Sequence, residues 1–160
     1  MNAAYRPAPG EGGWTHESGL VHGSRISPRQ VEALIITSRV IVGLADGTIV
    51  ACVHVAGDGN EAHIGMLAVE PSLQAGGIGK ALLRHAEEYA STLLGAEYLV
   101  LVVVGARREL MAFYLRRGYE RTGNVLEYPV EAGVGTPLSG ALELEVLRKR
   151  SRERPQASHP

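Results

Sequence analysis

The sequence predicts an α/β domain built on a mixed, mostly antiparallel central sheet flanked by helices. Asp46-Gly47 separates two apolar runs at 40–45 and 49–56, the pattern of a tight antiparallel hairpin. A glycine-rich stretch, Gln74-Ala75-Gly76-Gly77-Ile78-Gly79, leads from a third apolar run into a helical periodicity. The valine-rich run at 99–104 is continuous, as in a strand covered on both faces. A meander followed by alternating helix and strand over 70–120 gives a mixed sheet.

The chain has 160 residues, enough for one domain with a full core. Residues 1–27 are rich in Gly, Pro, His and Ser, and the breakers within 7–13 predict an irregular N-terminal segment. Ser27 and Pro28 form a helix start, a cap followed by proline at the first helical position, and Val31, Leu34 and Ile35 give the helix over 28–37 its apolar face. Strands follow at 40–45, 49–56 and 62–69. Leu82, Leu83, Ala86, Tyr89, Ala90 and Leu93 recur at helical spacing, predicting a long helix over 78–94. After the strand at 99–104, Leu110, Phe113, Tyr114 and Leu115 lie on a helix over 107–117 that Gly118 ends. Strands at 119–122 and 142–147 close the domain. A loop holding Pro129, Gly133, Gly135 and Pro137 lies between them. Residues 149–160 read as a flexible polar tail.

Composition excludes several function classes. Hydrophobic residues make up 45% and charged residues 21%, the balance of a globular protein rather than a disordered one. The single cysteine, Cys52, forms no internal disulfide, which argues against a cystine-stapled secreted scaffold and for a reducing, cytoplasmic setting. Its place in an apolar strand is ordinary for a small buried thiol. A net charge of −1 supplies no field toward nucleic acid, and the basic run Arg148, Lys149, Arg150, Arg152 reads as a solvated end. No apolar run approaches the roughly 20 residues of a membrane span, and no signal peptide is evident. Six scattered histidines show no metal pattern, and no Ser-His-Asp arrangement argues for hydrolysis.

The order strand, glycine-rich loop, helix suits a ligand phosphate, because inward-turned backbone N–H groups meet the positive end of the helix dipole. A tight structural turn is the other reading of the same glycines. Ala81 stands where a P-loop needs Ser or Thr after the lysine, and the spacing of Gly76, Gly77 and Gly79 is not G-x-G-x-x-G.

The run Leu67-Ala68-Val69-Glu70-Pro71, with Gln74-Ala75-Gly76-Gly77-Ile78-Gly79-Lys80-Ala81-Leu82-Leu83, resembles the acetyl-CoA-binding signature of the GCN5-related N-acetyltransferases. Further on, Glu109-Leu110-Met111-Ala112-Phe113-Tyr114-Leu115-Arg116-Arg117-Gly118-Tyr119 is similar to that family's helix-to-strand passage. Two motifs in the right order on the expected elements are more specific than either alone. The resemblance is close over 40–122 and looser to 148. It implies the acyl-CoA N-acyltransferase fold and an acetyltransferase domain over 28–148.

The resemblance also implies residue roles. Backbone groups of Leu67, Ala68 and Val69 would pair with the pantetheine arm in a splayed gap beside the strand at 99–104. Backbone donors of Gln74, Ala75, Gly76, Gly77, Ile78 and Gly79 would hold the pyrophosphate, with Gln74 at the family's Arg or Gln place and Lys80 adding charge. Tyr114 would act as general acid to the departing coenzyme A, the product. The alternative for Tyr114 is a tyrosine closing the core. Where the family often has Asn, this chain offers Gly105, Ala106, Arg107 and Arg108.

Acetyl transfer needs a deprotonated amine and stabilised charge on the carbonyl oxygen. The Leu67 amide is the expected oxyanion donor. His63 is the expected base, on the same side of its strand as Leu67, with a side chain whose charge changes near neutral pH. Glu61, Glu17 and His16 are alternatives. The chain departs from the family in lacking its usual first strand, so a sheet edge should be open to a partner subunit or an altered N-terminal path. Trp14 to Glu17 should shape the acceptor pocket, with Tyr128, Pro129 and the loop to Pro137 as its other wall.

The expected function is acetyl-CoA-dependent N-acetyl transfer to a primary amine of a small molecule, by direct attack in a ternary complex, in a homodimer without nucleic-acid or membrane partners. A non-catalytic acyl-CoA-binding or sensing module is the alternative, and a nucleotide-binding regulator ranks below both.

Overall fold

The computed structural model describes residues 1–151. Ser27 starts α2 (Pro28–Thr37) through a reciprocal capping box: its Oγ accepts from the Gln30 amide at 3.2 Å, while its own amide donates to Gln30 Oε1 at 2.7 Å. Strands β2 (Arg39–Ala45) and β3 (Thr48–Asp58) then form the hairpin expected at Asp46-Gly47. Both turn residues have positive φ, 49° and 78°, the requirement of a type I′ turn. β4 (Glu61–Val69) completes the meander.

Helix α3 (Ile78–Thr92) crosses over from β4 to β5 (Tyr98–Val104), which pairs with β4 in parallel. After α4 (Arg108–Leu115), strands β6 (Glu120–Glu127) and β8 (Glu143–Arg150) join the same sheet. The six strands run in the order β2-β3-β4-β5-β8-β6. Only the β4–β5 pair is parallel.

Alternation along the strands decides where the core sits. Val53, Val55, Ala62, Ile64, Leu99, Leu101 and Val103 face Leu82, Leu83, Ala86 and Ala90 of α3 and Met111 and Tyr114 of α4. Leu83 is 1% exposed, so truncation to Ala should cost about 2–5 kcal/mol. The opposite face of β3 and β4, carrying His54, His63 and Gly65, lies under α2.

Several boundaries depart from the expected ones. The N-terminal segment contains a one-turn helix, α1 (Asn2–Tyr5), and a two-residue strand, β1 (Val21–His22), paired with β7 (Thr136–Pro137). Such short pieces have no periodicity to read, and long-range pairing alone forms them. β6 runs well past 122, because an outermost strand exposed along its whole length needs no apolar alternation. β8 reaches Arg150, which pairs with Tyr98, while the Arg148 guanidinium stacks on the Tyr98 ring at 3.6 Å. Lys149 and Arg150 therefore belong to the ladder rather than to a tail. Arg152 and the rest of the expected tail lie outside the described residues.

β2 is a sheet edge, and no strand precedes it in the six-stranded sheet. The N-terminal path does not cover that edge, since α1 packs on β4 instead. Val42 and Leu44 on β2, with Ile35 and Ile36 on α2, are exposed.

Candidate active site

β4 and β5 are bonded only through Glu61, Ala62 and His63 opposite Tyr98, Leu99 and Val100, beyond which they diverge. In the diverging part β4 carries a bulge: Cys52 pairs with Ala68 and His54 with Gly65, so Met66 and Leu67 together oppose Val53. Met66 takes a φ of 53°, a left-handed conformation uncommon for a residue with a side chain. The bulge inverts the alternation. Leu67 and Val69 fall on the core face, while Ala68 joins the face of His63 and Gly65.

Two cavities on opposite faces of the sheet meet at this gap. One, of about 610 Å³, lies under α2 and is lined by His54, His63, Gly65, Tyr114 and Tyr128 among others. The other, of about 310 Å³, lies against α3 and α4 and is lined by Gln74, Ala75, Gly77, Gly79 and Lys80. Tyr5, Leu67, Arg107 and Leu110 line both.

The smaller cavity has the chemistry of an anion site. Lys80, Arg107, Arg116 and Arg117 line it, and no carboxylate does. The loop before α3 turns through Ala75 and Gly77, with φ of 64° and 87°. Gly77 supplies no side-chain cap, so the first amides of α3 keep their donors for a ligand. Arg117 stacks on Phe113 at 3.5 Å and donates to the Phe113 carbonyl; burial lowers its pKa from the usual guanidinium value.

The N-terminal segment borders the same cleft. Tyr5 is half-buried, and its hydroxyl donates to the Leu67 carbonyl at 3.0 Å. The Thr15 amide donates to Gln74 Oε1 at 3.2 Å, and Gln74 Nε2 donates to the Val69 carbonyl at 3.2 Å. Trp14, 45% exposed, packs 5.9 Å from the Phe113 ring.

Tyr114 is 5% exposed, held edge-on between Phe113 and Tyr119. Burial raises its pKa well above the ordinary phenol value, with only partial opposition from Arg107 and Arg117, so it stays a neutral O–H donor. Among the described residues its hydroxyl has no hydrogen-bond partner, and it reaches the larger cavity.

The larger cavity carries two arginines, Arg25 and Arg107, against one carboxylate, Glu17. Glu17 is 2% exposed and paired with Arg6 at 3.3 Å and Arg25 at 3.9 Å. His54 sits beside Gly65, where a Cβ would come within 2.5 Å of the ring, so glycine is what makes room for the imidazole. His54 Nδ1 is buried without a partner.

The model of the Acetyltransferase (GNAT) family matches residues 14–119, well over half of the chain. The chain is a member of the GNAT acetyltransferase family. No curated protein matches it by sequence. Among solved structures it is similar to the ribosomal-protein-S18-alanine N-acetyltransferase from Escherichia coli, at 19% identity and TM-score 0.69 over 88% of this chain and 86% of that one. It is also similar to a GNAT family acetyltransferase from Elizabethkingia anophelis with acetyl-CoA bound, at 16% identity and TM-score 0.68 over 86% of this chain and 92% of that one. An IAA acetyltransferase from Bacillus cereus ATCC 14579 reaches 21% identity and TM-score 0.66 over 78% and 85%. At these identities the likeness is one of fold.

Within this GNAT domain the structure brings together Leu67, Ala68, Val69, Gln74, Ala75, Gly77, Gly79 and Lys80 around the smaller cavity. Gly76 and Ile78 belong to the same loop and helix start without lining it. His63 and Tyr114 line the larger cavity. His63 is not on the side of Leu67, because the bulge separates them. Glu61 is drawn away by Arg148 at 3.1 Å, and His16 lines neither cavity. Of the stretch expected to shape the acceptor pocket, Glu17 lines the larger cavity, whereas Trp14 and Thr15 border the smaller one. Tyr128, Pro129 and Val134 line the larger cavity as well.

The sequence reading missed Tyr5, His54, Arg116 and Arg117. For His54 a signal existed: alternation on β3 sends it to the face opposite Val53 and Val55. Arg117, four residues beyond Phe113, is placed by helical spacing beside that ring.

Proposed function

We propose that this protein is an acetyl-CoA-dependent N-acetyltransferase that acetylates a primary amine of a small molecule by direct attack in a ternary complex. The observation that carries this is the pair of cavities on opposite faces of the sheet, joined where β4 and β5 diverge and walled by Leu67 and Arg107. Two reactants entering from opposite faces meet there without a covalent relay.

The cationic lining and the open start of α3 fit a cofactor with a pyrophosphate, held by the backbone of Gln74 to Gly79 with Lys80, Arg116 and Arg117 around it. Acetyl-CoA, when bound, supplies an activated thioester. The backbone of Leu67 to Val69 would hold its arm, which requires Tyr5 to release the Leu67 carbonyl.

His63 takes the proton that the acceptor amine must lose before its lone pair can attack. The Leu67 amide, taken out of the ladder by the bulge, donates to the oxygen on which charge develops. Tyr114, kept neutral by burial, donates to the departing sulfur. Cys52 takes no part: burial raises its thiol pKa, and it lines neither cavity.

Calorimetric titration with acetyl-CoA, coenzyme A and ATP, followed by thiol release against a panel of small amines, tests this. Acetyl-CoA binding with amine-dependent thiol release is expected. Binding without release to any amine would indicate a sensing module instead.

A further inference from the structure

We propose that Arg107 anchors a carboxylate of the acceptor, so that the amine acetylated belongs to a small amino acid in the broad sense, a molecule carrying both groups. This rests on the acetyl-transfer reading above and adds the acceptor's chemical class to it.

Two charged residues are buried among the described residues, Glu17 and Arg107. Their surroundings differ. Glu17 has two arginines against it, at 3.3 and 3.9 Å. Arg107, 5% exposed, forms no ion pair among the described residues. One terminal nitrogen, Nη2, donates to Thr15 Oγ1 at 2.9 Å, and that hydroxyl in turn donates a hydrogen bond to the exposed Glu109 at 2.8 Å. The Tyr5 ring lies 5.5 Å from the guanidinium carbon. Arg107 Nε is buried with no partner at all.

A guanidinium has five N–H donors in a planar fork. Removing it from water without a counter-anion is costly, and the cost is recovered when an anion with matching geometry arrives. A carboxylate is such an anion, because its two oxygens accept a pair of parallel N–H donors.

Position decides which anion. Arg107 lines both cavities, and in the larger one its neighbours are Tyr114, His54, His63 and Tyr128, none of which lines the smaller one. The residues suited to phosphates, Gln74, Gly77, Lys80, Arg116 and Arg117, line the smaller cavity and not the larger. Within the larger cavity Glu17 is already neutralised, and Arg25 adds a second cation on the same wall as Glu17. The net field there favours an acceptor with a negative group, held beside His63, which receives the amine's proton.

The test uses the full-length protein with acetyl-CoA and a panel of α- and ω-amino acids, each paired with its carboxamide, which keeps the amine and removes the charge. The wild-type protein is expected to prefer carboxylate over carboxamide by at least about tenfold in kcat/KM for its best acceptors. Arg107→Gln should lose that preference through KM, read as the carboxylate-to-carboxamide ratio, and Arg107→Lys should restore part of it. Calorimetry of the best amino acid with coenzyme A present should show binding that Arg107→Gln abolishes.

Acetylation of amines with no carboxylate preference in the wild type overturns the Arg107 assignment and leaves acetyl transfer standing, a result that needs no variant to fold. Coenzyme A binding weakened in Arg107→Gln with the carboxylate preference intact assigns Arg107 to the cofactor and also overturns it. Absence of thiol release with every amine removes the acetyl-transfer reading and this inference together.

Discussion

The Tyr5 hydroxyl donates to the Leu67 carbonyl at 3.0 Å, tying the first helix of the chain to the bulge of β4 sixty-two positions later. The Tyr5 ring is flanked by Arg25 at 5.4 Å and Arg107 at 5.5 Å. Further along the same segment the Thr15 amide holds Gln74. The segment thus touches both ends of the cleft in which the cofactor is proposed to lie.

Tyr5→Phe is expected to tighten coenzyme A binding. A buried hydrogen bond contributes about 0.5–1.5 kcal/mol, and removing one that the arm must displace should lower Kd by roughly two- to tenfold. Calorimetry on both proteins checks this; weaker binding in the variant would show that Tyr5 is a supporting wall rather than a competitor.

Tyr114→Phe is expected to lower kcat by roughly a hundredfold while leaving the Kd for coenzyme A within about twofold. The hydroxyl has no partner among the described residues, so stability should change by less than about 0.5 kcal/mol. Stopped-flow thiol release with parallel denaturant melts separates the two effects.

Cys52→Ala should retain kcat within about twofold, since the thiol lines neither cavity and burial keeps it protonated. Mass spectrometry after mixing with acetyl-CoA alone should find no acetylated protein. Acetyl-Cys52 would instead establish a covalent route.

Alkaline pH should destabilise the fold. Burial raises the pKa of Tyr5, Tyr114 and Tyr119 above the ordinary phenol value of about 10, with Glu87 adding to the shift at Tyr119. Above that value the unfolded chain ionises while the native tyrosines hold their protons, so unfolding releases protons and stability falls as pH rises. Below it their contribution is fully present. Thermal melts from pH 8 to 11 should show Tm flat at first and then declining.

The first long helix, the hairpin, the third strand and the crossover to β5 were all legible in the chain. Their signals are local: a cap and a proline at Ser27 and Pro28, the Asp46-Gly47 pair between apolar runs, and helical spacing from Leu82 to Leu93. The glycine-rich loop was legible as well, because its place between strand and helix determines where its amides point.

What local pattern could not supply was the face of each side chain beyond a bulge and the identity of residues brought in from far along the chain. Met66 adds one residue to β4, which sends Leu67 to the core face and leaves His63 on the other. Arg148 lies in a separate strand, yet it pairs with Glu61 at 3.1 Å. Tyr5 and Thr15 reach the cleft only because the N-terminal segment folds over β4. The sequence alone determined the sheet and the loop, through caps, turns and periodicities that act over a few residues, and two of its motifs carried the resemblance to the family. The tertiary structure decided which side chains share each cavity and which buried charge lacks a counter-ion among the described residues, because desolvation and pairing depend on every element packed around a group.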